Sequence, residues 1–331
     1  MADGTKIEWT DATVNAINGC SVVSPGCTNC YAMRLAGTRL KNHPSRVGLT
    51  TDSKAGPVWN GAVRLNEEQL LQPLRWTKPR QIFWNAHGDM FHPSVPDEWI
   101  DRCFAVMALT PHHIHQVLTK RADRMRQYLT VRKAAAPIMV PVGDGTLEQH
   151  PFNNELKVPS NIWLGVSVED HERALLRIPD LLATPAAVRW LSCEPLLGPI
   201  YLTDVADGGS TVLAPECWGD CDCSSLFGYD PGCRRNGGDG TLVRKIDWVV
   251  VGGESGRGAR AMDPEWARTL RNDCHDAGVP FFFKQRGAYV PCGQMVADGS
   301  LWTNGSNSSL LTTKGFAGRY LDGVHHDGMP A

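Results

Sequence analysis

The sequence has no long apolar run. Nowhere do about eighteen consecutive apolar residues occur, so no membrane-spanning helix is expected. Met1–Thr10 has no apolar stretch of the kind that opens a secretory leader, which points to a reducing, cytoplasmic setting. Charge of one sign is scarce as well: 33 lysines and arginines stand against 35 aspartates and glutamates, a formal net charge of -2 at pH 7. No overall attraction to nucleic acid follows from that sum, although a local basic groove is compatible with it. The His-Glu-x-x-His signature of zinc hydrolases is absent, which argues against a hydrolytic zinc barrel. The 11 cysteines cannot all pair with one another, so a framework built wholly of disulfides is excluded.

What is present is alternation. Strand-like runs near residues 13, 81, 115, 162, 189, 247 and 280 are separated mainly by helix-like segments. That order predicts an α/β fold with a parallel sheet, a partial or irregular (β/α) TIM-like barrel. Residues 1–203 form its first part and 246–288 its end. A cysteine-rich insertion occupies 204–245, and a glycine- and serine-rich extension over 289–331 packs on the barrel and closes toward its mouth. The run Ile246–Val251 is the most strand-like of all, and Asp263 with Pro264 opens a helix reaching to about Ala277.

The most informative stretch is Gly19–Tyr31, where Cys20, Cys27 and Cys30 fall in a loop punctuated by glycine and proline and followed by a helix from Tyr31. Three soft thiolates able to turn toward one centre suggest a metal or an iron–sulfur cluster. A structural zinc knuckle, which needs a fourth ligand, and plain reduced thiols are the alternatives. Four more cysteines, Cys217, Cys221, Cys223 and Cys233, fall in an irregular segment with eight glycines from Gly208 to Gly240. A zinc staple, an auxiliary cluster and free thiols all remain open there. His112, His113 and His115 invite a metal reading too. In an extended strand His112 points away from the other two, so they are not taken as ligands.

The three-cysteine loop after a first strand, with the last two cysteines two residues apart and an aromatic following, resembles the cluster site of the radical S-adenosylmethionine superfamily. The spacing here is six residues and then two, where that superfamily commonly has three and then two. The wider pattern is similar to a phage-type family of largely uncharacterised proteins belonging to or bordering on it. The resemblance is carried by Ile7–Asp11, Gly19-Cys20, Asn85–His92, Leu118–Lys120, Gly165–Asp170, Ser192–Pro195, Gly252–Gly256 and Phe281–Gln285. A more distant likeness is to the spore photoproduct lyases. The resemblance implies a radical-SAM type barrel, a [4Fe-4S] cluster on Cys20, Cys27 and Cys30, and S-adenosylmethionine cleaved to a 5′-deoxyadenosyl radical. It also implies a reducing partner such as flavodoxin or ferredoxin.

The remaining candidates sit at the expected C-terminal tips of the strands. By the resemblance, Asn85 and Asp89 supply polar atoms to the cosubstrate, and Lys120 contacts cosubstrate or substrate. Ser167 and Glu169 are candidates for its ribose hydroxyls or amino acid, since a carboxylate accepts two hydroxyl hydrogen bonds. Ser192 and Glu194 follow on the next strand. Cys193 as a hydrogen-atom donor, Glu254 after two glycines, and Lys284 at the last strand tip are the candidate catalytic groups. His87 and His92 read equally well as solvated turn residues. The expected substrate is a nucleotide or nucleic-acid base, modified or repaired, with Arg121, Arg124 and Arg126 available to phosphates and Trp218 to a base. Trp163 and Trp248 fall inside strands and read as core. The other readings are a zinc-organised nucleic-acid- or protein-binding module and a radical enzyme acting on a peptide or small metabolite. Nothing in the sequence reports the oligomeric state.

Overall fold

A computed structural model describes residues 4–131, 138–141, 147–150, 158–205, 212–213, 245–302 and 310–331. Seven strands form one sheet: β1 (Ala12–Val14), β2 (Gln81–Trp84), β3 (Ile114–Thr119), β4 (Ile162–Ser167), β5 (Val188–Cys193), β6 (Trp248–Gly252) and β7 (Phe281–Gln285). Their order in space is their order in sequence, and every neighbouring pair is parallel. β1 and β7 do not pair, so the sheet is a curled, open partial barrel. The expected positions of the seven strands all hold. β4 and β6 are buried at every residue, as parallel strands covered on both faces must be, and this is why they read as near-continuous apolar runs.

Five helices lie on the convex side or at the rim: α1 (Tyr31–Gly37), α2 (Asp97–Leu109), α3 (Ala122–Val131), α4 (His171–Ala183) and α5 (Pro264–Asp276). Their starts are chemically marked. Asp97 and Glu98 sit in the first turn of α2, where the exposed backbone N–H groups favour negative charge. Asp170 caps α4 by accepting from Arg173 N, and Asp263 caps α5 with Pro264 at its first position. Among the described residues no helix is long and apolar enough to cross a membrane.

Two cores follow from the period of two along each strand. The outward residues Trp84, Val117, Leu164, Leu191, Val251 and Phe283 pack against Phe104, Met107, Ile178, Leu181 and Leu270 of the helices. The inward residues Phe83, Trp163, Trp190, Trp248, Val250 and Phe282 form a separate aromatic cluster, closed from below by Trp9. Trp9 meets Phe83, Trp190 and Trp248 with ring centroids 4.9, 5.2 and 5.9 Å apart, each edge-on. Gly165 belongs to this floor. A Cβ there would lie 2.5 Å from the Trp190 indole, so the ring occupies the space a side chain would need. The Trp163 and Trp248 expectation as core therefore holds.

Two segments differ from the sequence reading. Thr50–Ser53 and Gly56–Trp59 form an antiparallel hairpin that the sequence does not announce, because its first strand is polar and mostly exposed and its second opens on Gly56 and Pro57, so neither shows apolar alternation. The C-terminal extension does not simply close the mouth. His326 O accepts from Phe283 N at 2.9 Å and Gly328 N donates to Phe281 O at 3.0 Å, so the tail runs along the otherwise bare edge of β7 and protects it from pairing elsewhere. Among the described residues of this extension only Lys314 reaches the mouth, paired with Glu8 at 2.9 Å.

Candidate functional site

The same alternation that sends Trp163, Trp190 and Trp248 inward at the floor sends Ser167, Ser192, Glu194 and Lys284 inward at the C-terminal ends. They open onto a cavity of about 580 Å³, within the range of small-molecule sites. Of the expected residues, Asn85, Asp89, Lys120, Ser167, Ser192, Glu194 and Lys284 contribute to its wall, as do Cys20, Cys27 and Cys30. Glu169, Glu254 and Cys193 do not. Cys193 faces the outer core, where burial, with Cys274 and two acids nearby, pushes its thiol far up.

The four acids have different jobs. Glu169 is fully buried and accepts from Ser24 Oγ at 2.6 Å and Arg177 Nη1 at 2.9 Å, with Lys120 Nζ closer still. Burial alone would raise its carboxyl; the Lys120 and Arg177 charges outweigh that and hold it below the usual range. Gly26 makes this possible, since a Cβ at that position would lie 2.5 Å from the Glu169 side chain. Asp89 accepts from Arg121 Nη1 and Thr119 Oγ1 at 2.8 Å and from Phe91 N at 2.9 Å. Arg121 passes the tie on to Ser21 Oγ at 2.9 Å, so Asp89 anchors the cysteine loop to the tip of β3. Glu254 accepts from both Arg260 Nη2 (2.6 Å) and Nε (2.9 Å) and from Asn29 Nδ2 (3.0 Å). Burial raises its carboxyl less than the Arg260 bonds lower it, and the pair fastens the Gly-Gly-Glu turn to the cysteine loop. Glu194 alone is open: Lys284 Nζ stands 3.2 Å from Oε1 and 3.3 Å from Oε2, and Oε1 has no aligned donor among the described residues.

The cofactor expectation has to be corrected. Among the described residues no group of three or more His, Cys, Asp or Glu side chains is placed to hold a metal ion. Cys20, Cys27 and Cys30 reach one cavity without forming a ligand set, and their thiols are engaged locally. Cys20 Sγ lies 3.6 Å from Arg121 Nη1, and Cys27 Sγ lies 3.7 Å from Ser24 Oγ. Burial, then the Asp89 charge, pushes the Cys20 thiol up to about 12 against the pull of Arg121, and burial raises Cys30 as well. A metal ligand must be the thiolate, which these surroundings disfavour. The [4Fe-4S] cluster, the zinc alternative and the S-adenosylmethionine bound through that cluster therefore do not fit these residues. Cys217, Cys221, Cys223 and Cys233, with their zinc or auxiliary cluster, lie outside the described residues, as does Trp218.

Several wall residues are not among the expected site residues. Trp9, Tyr31 and Trp59 add aromatic surface, and Lys6 adds a cation. Arg46, itself buried, donates from Nη2 to His87 Nδ1 at 2.6 Å across 41 residues of sequence. The three arginines expected at phosphates are engaged within the chain: Arg121 with Asp89, Arg124 with Asp97 at 2.7 Å, and Arg126 with Asp180 at 2.6 Å.

No curated protein and no solved structure matches the chain. A family model described as "Protein of unknown function (DUF5131)" matches residues 4–330, all but the two ends, and the chain belongs to that family.

Proposed function

We propose that the chain is an enzyme that modifies or repairs a nucleotide or nucleic-acid base held in the mouth of the partial barrel. The observation that carries this reading is the composition of one cavity. Aromatic faces (Trp9, Trp59, Phe83) stand beside cations (Lys6, Lys120, Lys284) and an incompletely paired carboxylate, Glu194, and they come from separate strands and loops. Flat apolar surface suits a base, cations suit its phosphate, and an acceptor suits an amino or imino edge. Because the net charge is only -2 and the arginines near β3 are paired internally, phosphate would meet the few cations of the mouth, Lys6 together with Lys120 and Lys284, which already face Glu169 and Glu194, rather than a broad basic face.

The test is titration of the protein with mononucleotides, short single strands and duplexes, followed by tryptophan emission and repeated at several salt concentrations. Saturable binding of a base-bearing probe is expected, weakening with salt only modestly because few phosphate contacts are made. Mass spectrometry of the recovered probe after incubation with cell extract should show a changed base. If peptides or small metabolites bind while no mononucleotide or strand does, the assignment is wrong.

A further inference from the structure

Two side chains of the loop after β2 have their hydrogen-bonding polarity fixed by their partners. Asn85 is 4% exposed and sits at φ 58°, a left-handed conformation that asparagine tolerates better than most residues. Its backbone N donates to Val14 O at 2.7 Å, and its Oδ1 accepts from Ile17 N at 2.9 Å. The oxygen end of the amide is therefore assigned, and the other end, Nδ2, is a donor. It is buried, belongs to a residue of the cavity wall, and has no partner among the described residues.

His87 is fixed in a parallel way. A guanidinium has only donors, so the ring atom that Arg46 Nη2 meets at 2.6 Å must present a lone pair. Nδ1 is then bare and the ring proton resides on Nε2. The imidazolium form, with a proton on both nitrogens, would set one donor against another. Burial first, and the Arg46 charge second, hold this imidazole down at about 4. The backbone is held equally: His87 N donates to Asn15 Oδ1 at 3.0 Å and His87 O accepts from Gly19 N at 3.1 Å. Tyr31 stands edge-on to the ring at 5.9 Å, its own hydroxyl donating to Ala86 O at 2.8 Å. His87 also belongs to the cavity wall.

We infer that Asn85 Nδ2 and His87 Nε2 form a preorganised two-donor site for an acceptor oxygen of the bound molecule, a base carbonyl or a phosphate oxygen. The polarity of both donors is set by partners within the chain before anything binds, which is the property that lets such sites stabilise oxygen on which charge accumulates. Arg46 makes the second donor stronger by withdrawing electron density through the ring, so Arg46 is a positioning residue: it sets the tautomer without touching the ligand. Elsewhere on the same cavity wall, Glu194 Oε1 and Gln285 Oε1 are acceptors without a hydrogen-bond partner among the described residues. The choice of ligand rests on the nucleotide reading; the donor pair itself does not.

The experiment is long-range proton–nitrogen NMR of the full chain with labelled histidine, which reads the tautomer directly. The expected result is a neutral His87 with its proton on Nε2 from about pH 5 to pH 9, and in Arg46→Met a ring titrating nearer its ordinary value of about 6.5. Deoxyuridine, deoxyuridine 5′-monophosphate and inorganic phosphate are then added separately. Movement of the His87 Hε2 resonance by the first two identifies a base carbonyl; movement by the last two identifies a phosphate oxygen. Either outcome supports the site, and Asn85→Leu should weaken the effective probe at least tenfold. If phosphate alone moves the resonance, the donor site stands and the nucleotide reading falls. A proton on Nδ1, a cationic ring at neutral pH, or no movement with any of the three probes overturns the inference, even if tryptophan emission shows a nucleotide bound elsewhere in the cavity.

Discussion

Glu169 and Glu194 stand just beyond the tips of adjacent parallel strands, and their surroundings divide framework from site. Glu169 is wholly enclosed, with a serine hydroxyl and two cations filling its acceptor positions. Glu194 has one lysine and an oxygen with no aligned donor among the described residues, over Gly252, where a Cβ would lie 2.5 Å from that oxygen. Two carboxylates that look alike in sequence thus differ in availability. A buried acid whose partners are complete is holding the fold; one whose partners are incomplete is left for something that binds.

The sharpest way to break this comparison is Glu169→Gln. It leaves Lys120 and Arg177 enclosed without their counter-charge, and a loss of about 3–5 kcal/mol in urea unfolding is expected. A change below about 1 kcal/mol would show that Glu169 is no strut.

Next comes acid. His115 is buried, with Nδ1 accepting from Trp84 Nε1 at 3.0 Å and Nε2 against Thr110 Oγ1 at 3.0 Å. Burial, then His113, lowers its pKa to about 3. Because the unfolded histidine titrates near about 6.5, the unfolded chain takes up the proton first. Stability is therefore full above about pH 6.5 and falls by about 1.4 kcal/mol per pH unit for this group until its folded value is reached. The depressed Glu169 acts in a lower window, its contribution present above the ordinary glutamate value of about 4.3 and lost as pH drops through its folded one. His115→Gln should remove this group's share of the slope between about pH 6.5 and its folded value, leaving the shares of the likewise depressed His87 and of Glu169. Identical pH profiles for variant and parent would sink this account.

Gly165→Ala puts a methyl group into the Trp190 indole and should cost about 1–3 kcal/mol by overpacking, with loss of near-ultraviolet tryptophan signal. The smallest stability effect is expected at the open acid. Glu194→Gln should change unfolding by only about 1 kcal/mol, while base-bearing probes lose affinity by tenfold or more. The reverse ranking of Glu169 and Glu194 would undo the comparison.

Much of this arrangement is legible in sequence because parallel strands advertise themselves. Ile162–Ser167 and Trp248–Gly252 are buried on both faces and read as apolar runs, and counting in twos from their cores carries Ser167, Ser192, Glu194 and Lys284 to the rim. What no local pattern contains is pairing across the chain. Ser24 is 145 residues from Glu169, and Arg46 is 41 from His87. Glu254 reads as a catalytic acid until Asn29 and Arg260 are seen to close on it. The cysteine loop misled for the same reason. Spacing shows that three thiols can approach one point, but Arg121 and Ser24, which engage two of them, come from the fold and from the loop's own turn.

The tryptophan floor has an optical consequence. Trp190 and Trp248 lie with ring centroids 5.3 Å apart and tilted 35°, and Trp9 stands within 6 Å of both. Transition dipoles this close exchange excitation, so the cluster absorbs as a coupled unit and should give a paired circular-dichroism band that no isolated indole produces. The Lys284 ammonium, 5.9 Å from the Trp9 ring, adds a local field to that unit. A molecule that draws Lys284 toward itself would shift the band, which gives the protein an intrinsic, label-free reporter of whatever occupies its mouth.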